Sequence, residues 1–126
     1  MADPATERYL RLGLQLGRHD DGIVDAYFGP QELAAQVAAA PPADLPSLVA
    51  DAEALLADLD DSWLRDQLTA LRTYAGVLAG EMWTYSDEVQ ACYGVRPVFT
   101  EEAVFAAAHE ELEDLLPGAG PLAERY

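Results

Sequence analysis

Apolar residues recur at intervals of three and four along most of this chain, which is the period of an α-helix rather than of a β-strand. The clearest run lies between residues 45 and 59, where the large apolar side chains share one helical face. A second run continues from residue 64 to about residue 85, and its stripe includes Leu78 and Met82. The two runs predict a pair of helices that pack together as antiparallel neighbours.

Two more helices are predicted in the first 40 residues. A capping aspartate and a proline at positions 3 and 4 are typical of a helix start, and this helix should run to about residue 18. Leucines alternate with polar or small residues over 10–17, which is also the period of a half-buried strand, but a broad apolar face favours the helix. Residues 23–28 form a predicted short element, and a helix over about 30–40 follows.

The last third of the chain predicts one short helix and one longer helix. Residues 86–88 can cap the short helix, which is expected to end at Gly94. Thr100 is expected to cap the longer helix, which continues to about Leu116. The apolar stripe of this longer helix is expected to lie inside the protein and consists of Phe105, Ala108, Leu112 and Leu115.

These elements and the chain length together define the predicted fold. A chain of 126 residues that is 51% hydrophobic is long enough to bury one core and too short for two domains. We predict an all-α fold, a bundle of about five main helices plus short helical turns, with mostly antiparallel neighbours. A single helical domain is expected to span residues 1–117. Residues 118–126 are expected to form a turn and the truncated start of a further helix.

The charge of the chain excludes several classes of partner. It carries 23 Asp and Glu residues against seven Arg, for a net charge of -16, and such a field repels nucleic acids and anionic membranes. No apolar stretch is long enough to span a bilayer, and the first residues lack a secretion signal. Cys92, the single cysteine, cannot form an internal disulfide. We therefore expect a cytoplasmic protein that binds neither nucleic acid nor a membrane.

One predicted helix carries part of a metal-binding pattern. The pair His109-Glu110 begins like the zincin motif, in which two histidines four residues apart bind zinc and a glutamate beside the first acts as a base. The second histidine is missing, because position 113 is Glu. His109 and Glu113 could supply two ligands one turn apart, and a site would need others, such as His19 or Asp20. A half-exposed histidine on the edge of an amphipathic helix is the commoner interpretation.

Other combinations of reactive side chains do not define an enzyme. Cys92 lies in a short apolar segment with no neighbouring base, which is typical of a structural thiol. The acidic residues at 110–114 could act as a general acid and base, but on one exposed face they are more typical of solvated charges. The aromatic residues at 27–28 and 83–85 could line a groove for a ligand or a partner, although aromatic residues at helix ends more often pack at corners.

Four segments of the chain together resemble a known family. They are residues 9–12, 17–20, 24–33 and 118–126, and the most specific piece is DAYFGPQEL at 25–33. These segments are similar to the N-terminal part of a family of uncharacterised actinobacterial proteins. That family is a domain-of-unknown-function group of zincin-like helical proteins, distantly akin to carboxypeptidase Taq.

The resemblance implies an N-terminal helical domain or fragment of a longer metallopeptidase-like protein, with a structural or substrate-gating role. It implies that this chain holds no catalytic residue and has no activity alone, and that zinc would belong to the downstream part. The implied partner is the remainder of the parent chain or a self-associating copy. Two alternatives stay open, a free-standing acidic helical binding or adaptor module and a small metal protein that uses His109.

Overall fold

The computed structural model describes residues 3–60 and 62–125. Over these residues the chain forms seven helices and no strand, which confirms the predicted all-α fold. The helices are α1 (Pro4–Leu16), α2 (Gln31–Ala39), α3 (Leu45–Asp58), α4 (Ser62–Leu78), α5 (Tyr85–Tyr93), α6 (Glu102–Leu115) and α7 (Leu122–Arg125). Met1 and Ala2, at the start of the predicted domain 1–117, and Tyr126, at the end of the predicted segment 118–126, lie outside the described residues.

Capping side chains set where three of the helices begin. The Asp3 carboxylate accepts hydrogen bonds from two backbone amides in the first turn of α1, at 3.1 and 3.3 Å. The Asp44 carboxylate accepts one from the amide three residues later, at 3.0 Å, and the Thr84 hydroxyl accepts one from the amide of Asp87 at 3.2 Å. Such bonds satisfy amides that have no acceptor inside the helix. The cap of α5 is therefore Thr84 and not residues 86–88.

The hydrophobic core lies where α1, α3 and α4 meet. α3 packs along α4, and α1 packs on both, while α2 covers α1 and α5 covers α4. Leu16, Leu55 and Leu68 are the most completely buried leucines. The other buried members of this core are Leu12, Leu48, Ala52, Leu59, Leu64 and Ala75. The two helical stripes predicted over residues 45–59 and 64–85 therefore supply most of the core, and the last core residue of the second stripe is Ala75.

Polar contacts, rather than a further helix, hold the segment between α1 and α2. Residues 23–28 have no regular secondary structure, so the short element predicted there is wrong. The Tyr74 hydroxyl of α4 donates a hydrogen bond to the Asp20 carboxylate, which also accepts one from the amide of Gly22 at 2.9 Å. A stretch of six residues is too short to offset the cost of starting a helix without packing. The contact of Tyr74 with Asp20 and the packing of Ile23 against the core hold the start of this segment instead.

α4 ends earlier than the apolar stripe predicts. Its last residue is Leu78, and the chain turns at Gly80, which has a φ of +96°. Glycine adopts this region freely because it has no Cβ, and other residues rarely do so. Met82 lies beyond the turn and is 95% exposed, so its predicted place in the helix and the core is wrong.

The packing of α6 differs most from the sequence prediction. The helix begins at Glu102 after Glu101, so that Thr100 is not its cap. All residues from 101 to 115 are exposed, and α6 takes part in none of the main helix–helix contacts. The expectation that the α6 stripe lies inside is therefore wrong. Helical periodicity identifies an apolar face but not the surface that covers it.

Candidate interaction surface

The four side chains considered as metal ligands lie in surroundings of other kinds. His109 is exposed on α6, and Glu113, one turn later, forms an ion pair with Arg125. His19 lies with its Nε2 atom 2.7 Å from a backbone carbonyl oxygen, and Asp20 accepts the hydrogen bond from the tyrosine hydroxyl of α4. Within the part of the chain that the structure describes, no three His, Cys, Asp or Glu side chains are arranged to hold a metal ion.

The hydrogen bond between Tyr74 and Asp20 is structural. It lowers the pKa of the Asp20 carboxyl, which the amide of Gly22 lowers further, and it raises the pKa of the Tyr74 hydroxyl. A carboxylate with a lowered pKa is a poor general base, and a tyrosine with a raised pKa is a poor general acid. The pair therefore ties the segment after α1 to α4.

A cluster of ion pairs between α3 and α4 was not predicted from the sequence. Arg72 donates through Nε to Glu53 of α3 at 3.0 Å, and through Nη1 to Glu81 at 2.6 Å. Arg72 lowers the pKa of the Glu81 carboxyl, and Glu81, followed by Glu53, raises the pKa of Arg72. Two carboxylates held by one guanidinium are positioned to join elements rather than to exchange protons. Sequence reasoning missed the cluster because Glu53 and Arg72 are 19 residues apart on different helices.

Cys92 lines a shallow groove between α4 and α5. The groove has a volume of about 260 Å³, and Tyr9 and Tyr74 also line it. Burial raises the pKa of the Cys92 thiol, and the charge of Glu88 raises it further. A thiol that remains protonated is a poor nucleophile, so these surroundings are those of a structural cysteine.

The two aromatic segments are only partly packed. Tyr27 lines a second groove, of about 440 Å³, beside α1, and its hydroxyl donates to the carbonyl oxygen of Pro30 at 3.1 Å. Phe28 is 95% exposed. In the other segment, Tyr85 is 75% exposed, and the indole of Trp83 donates to a carboxylate at 3.3 Å. Much of the aromatic surface at both places therefore faces solvent.

Exposed apolar side chains concentrate in the last third of the chain. Among the described residues, eleven of the thirteen large hydrophobic side chains that are exposed lie between residues 82 and 115. Single exposed hydrophobic residues are common, whereas a continuous row marks an interaction surface. Phe105, Leu112 and Leu115 form such a row, because residues seven and three apart lie on one side of a helix. We call this row, together with Ala108, the α6 apolar face.

Acidic side chains border the α6 apolar face on both edges. At about 100° per residue, Glu111 falls on one edge, and Glu102 and Glu113 fall on the other. Of these three, Glu113 is paired with Arg125. No Lys or Arg occurs anywhere in residues 97–124. Glu102 and Glu111 therefore leave a negative charge on each edge of the apolar face, whereas Arg125 neutralises Glu113.

None of the helices in residues 3–60 and 62–125 combines the length and the apolar character needed to cross a membrane. No protein-family model matches the sequence, and neither a curated protein nor a solved structure is significantly similar to it.

Proposed function

We propose that this chain is a non-catalytic helical domain that packs against another protein surface through the α6 apolar face. As the family resemblance implies, it would be the N-terminal domain or fragment of a longer metallopeptidase-like protein, with a structural or substrate-gating role. The observation that carries the proposal is the exposure of the α6 apolar face, whose Leu115 is 68% exposed.

The length of α6 supports a role in packing. The helix has 14 residues, and isolated helices of this length are marginally stable in water, because most helical stability in proteins comes from tertiary contacts. Full burial of one Leu or Phe side chain contributes roughly 1.5–3 kcal/mol. A partner that covers Phe105, Leu112 and Leu115 would therefore stabilise both the helix and the complex.

The arrangement of the reactive groups favours a role other than catalysis. The carboxylates of Asp20 and Glu81 are held in structural hydrogen bonds, and the pKa of the Cys92 thiol is raised. In the proposal, zinc and peptidase activity belong to the downstream part of the parent. We expect the chain alone to hydrolyse no peptide, with or without added zinc.

Amide exchange of the native protein tests the proposal. An antibody against α2 would isolate the native species under non-denaturing conditions, and mass spectrometry would compare its hydrogen exchange with that of the isolated chain. We expect α6 amides to exchange at least tenfold more slowly in the native species, since packing suppresses local opening. Amides of α3, which lies in the core, serve as the internal control and should not change.

Two readouts of this experiment, the exchange of α6 and the intact mass, test the packing role and separate a domain of a longer protein from an adaptor module. Equal exchange of α6 in the two samples would contradict a packing role. If α6 is protected, the intact mass decides the context. A product longer than 126 residues agrees with a domain of a larger protein, whereas a product of this length bound to another protein would make the chain an adaptor module.

A further inference from the structure

The spacing of the α6 apolar face points to the kind of element that covers it. Its members, Phe105, Ala108, Leu112 and Leu115, follow one another at intervals of three, four and three, which is the pattern of a helix–helix seam. The small side chain of Ala108 allows a neighbouring backbone to approach closely. α6 is about 21 Å long, because it has 14 residues at 1.5 Å each, and the face takes up about 15 Å of that length between Phe105 and Leu115. A helix of similar length fits this row.

The charge around the face determines the chemistry of that helix. In helix pairs, residues that flank the apolar seam form ion pairs across it and select the partner. Glu102 and Glu111 flank the seam here on opposite edges, with no cation among residues 97–124 to neutralise them. We propose that the α6 apolar face binds a basic amphipathic helix, whose apolar row is flanked by Arg or Lys. This inference rests on the proposed packing role of α6.

The same charges argue against a second copy of this chain as the partner. Each α6 carries five acidic residues and no Lys or Arg, so pairing two copies would bring like charges together along the seam. Like charges on neighbouring helices are destabilising, and each chain carries a net charge of -16. A basic partner turns the same residues into attractive contacts.

Two matched synthetic peptides test the inference on the full 126-residue chain. Both are 21-residue helices with Leu at every seam position; one has Arg at the flanking positions and the other has Glu. Fluorescence anisotropy of the labelled peptides gives the Kd. We expect the Arg peptide to bind and the Glu peptide to bind at least tenfold more weakly. Reversing both edges with Glu102→Arg and Glu111→Arg should exchange this preference.

General attraction between a cationic peptide and an acidic protein needs its own control. Leu112→Ala leaves the charge and the helix propensity of α6 essentially unchanged, so only seam packing is lost. We expect about a tenfold weaker Kd for the Arg peptide, since interface truncations of this size cost about one factor of ten. Phe28→Ala removes an apolar side chain outside α6 that is 95% exposed, and it should leave the Kd within twofold.

Three results would overturn the inference. The first is equal binding of the Arg peptide to wild type and Leu112→Ala, which would indicate general charge attraction. The second is a Glu peptide that binds as tightly as the Arg peptide. The third is a dimer of the chain in sedimentation equilibrium that Leu112→Ala abolishes, since the occupant would then be a second copy. The second and third results would leave the packing role of α6 intact. That role would be contradicted only if the α6 amides exchanged equally fast in the native species and in the isolated chain.

Discussion

Truncating one buried leucine and one exposed leucine tests the central structural finding, that α6 lies outside the core. Leu68 of α4 is 0% exposed, whereas Leu115 of α6 is 68% exposed. Replacing a buried leucine by alanine removes its transfer free energy and leaves a cavity, at a cost of about 3 kcal/mol. Leu68→Ala should therefore raise the unfolding equilibrium constant about 100-fold. Leu115→Ala should change the free energy of unfolding by less than about 0.5 kcal/mol.

Urea unfolding followed by far-ultraviolet circular dichroism measures both changes, because α1, α3 and α4 lose their helical structure when the core that they form unfolds. The slope of the free energy of unfolding against urea concentration should be equal for all variants. A shift of the unfolding midpoint then reports a change in stability alone. Leu68→Met, which nearly conserves volume, is the control and should cost less than about 1.5 kcal/mol. If Leu115→Ala destabilises the protein as much as Leu68→Ala does, α6 is packed into the core and the surface described above does not exist.

Three further predictions concern other parts of the chain. Gly94 ends α5 with a φ of +69°, so Gly94→Ala should lower the free energy of unfolding by about 1 kcal/mol. Gly13 lies in the middle of α1 with open space around it, so Gly13→Ala should raise that free energy by about 0.5 kcal/mol. Urea unfolding that ranks the two variants in the opposite order would refute this. Tyr74→Phe removes the bond that lowers the pKa of Asp20 and raises that of Tyr74. A carboxyl group with a lowered pKa stabilises the fold at pH values above its ordinary pKa, and this contribution is lost as the pH falls. A tyrosine with a raised pKa stabilises the fold at pH values below its ordinary pKa, and this contribution is lost at high pH. The difference in Tm between wild type and variant should thus be greatest between about pH 5 and pH 9, and a pH-independent difference would contradict the assignment. Finally, a chelator should leave the Tm of wild type and of His109→Ala unchanged, and a fall in wild type alone would establish a metal site at His109.

Local signals in the sequence account for most of the helical framework. The carboxylate of Asp3 precedes a helix that begins with proline, and Asp44 precedes the leucine stripe of α3, so both starts can be predicted from neighbouring residues alone. The stripes of α3 and α4 are predicted for the same reason, since the period of a helix is a property of one segment. The prediction fails at Met82, because Gly80 turns the chain before the stripe is complete.

Contacts between distant residues could not be predicted in this way. Glu53 and Arg72 meet because α3 packs along α4, and Tyr74 meets Asp20 because α1 packs on α4. Nothing in the sequence near either residue specifies its partner. Such contacts depend on how helices are arranged, which the period of each helix leaves open.

The sequence by itself determined that α6 is amphipathic, with an apolar row bordered by acidic residues. Only the tertiary structure decided that this row faces solvent, and thus that α6 is the candidate interaction surface. The physical reason is that α1, α3 and α4 already bury one another's apolar faces, while α6 follows a loop after α5 and joins none of the main helix contacts. Whether an apolar face becomes core or binding surface depends on which complementary faces remain, and no segment carries that information alone.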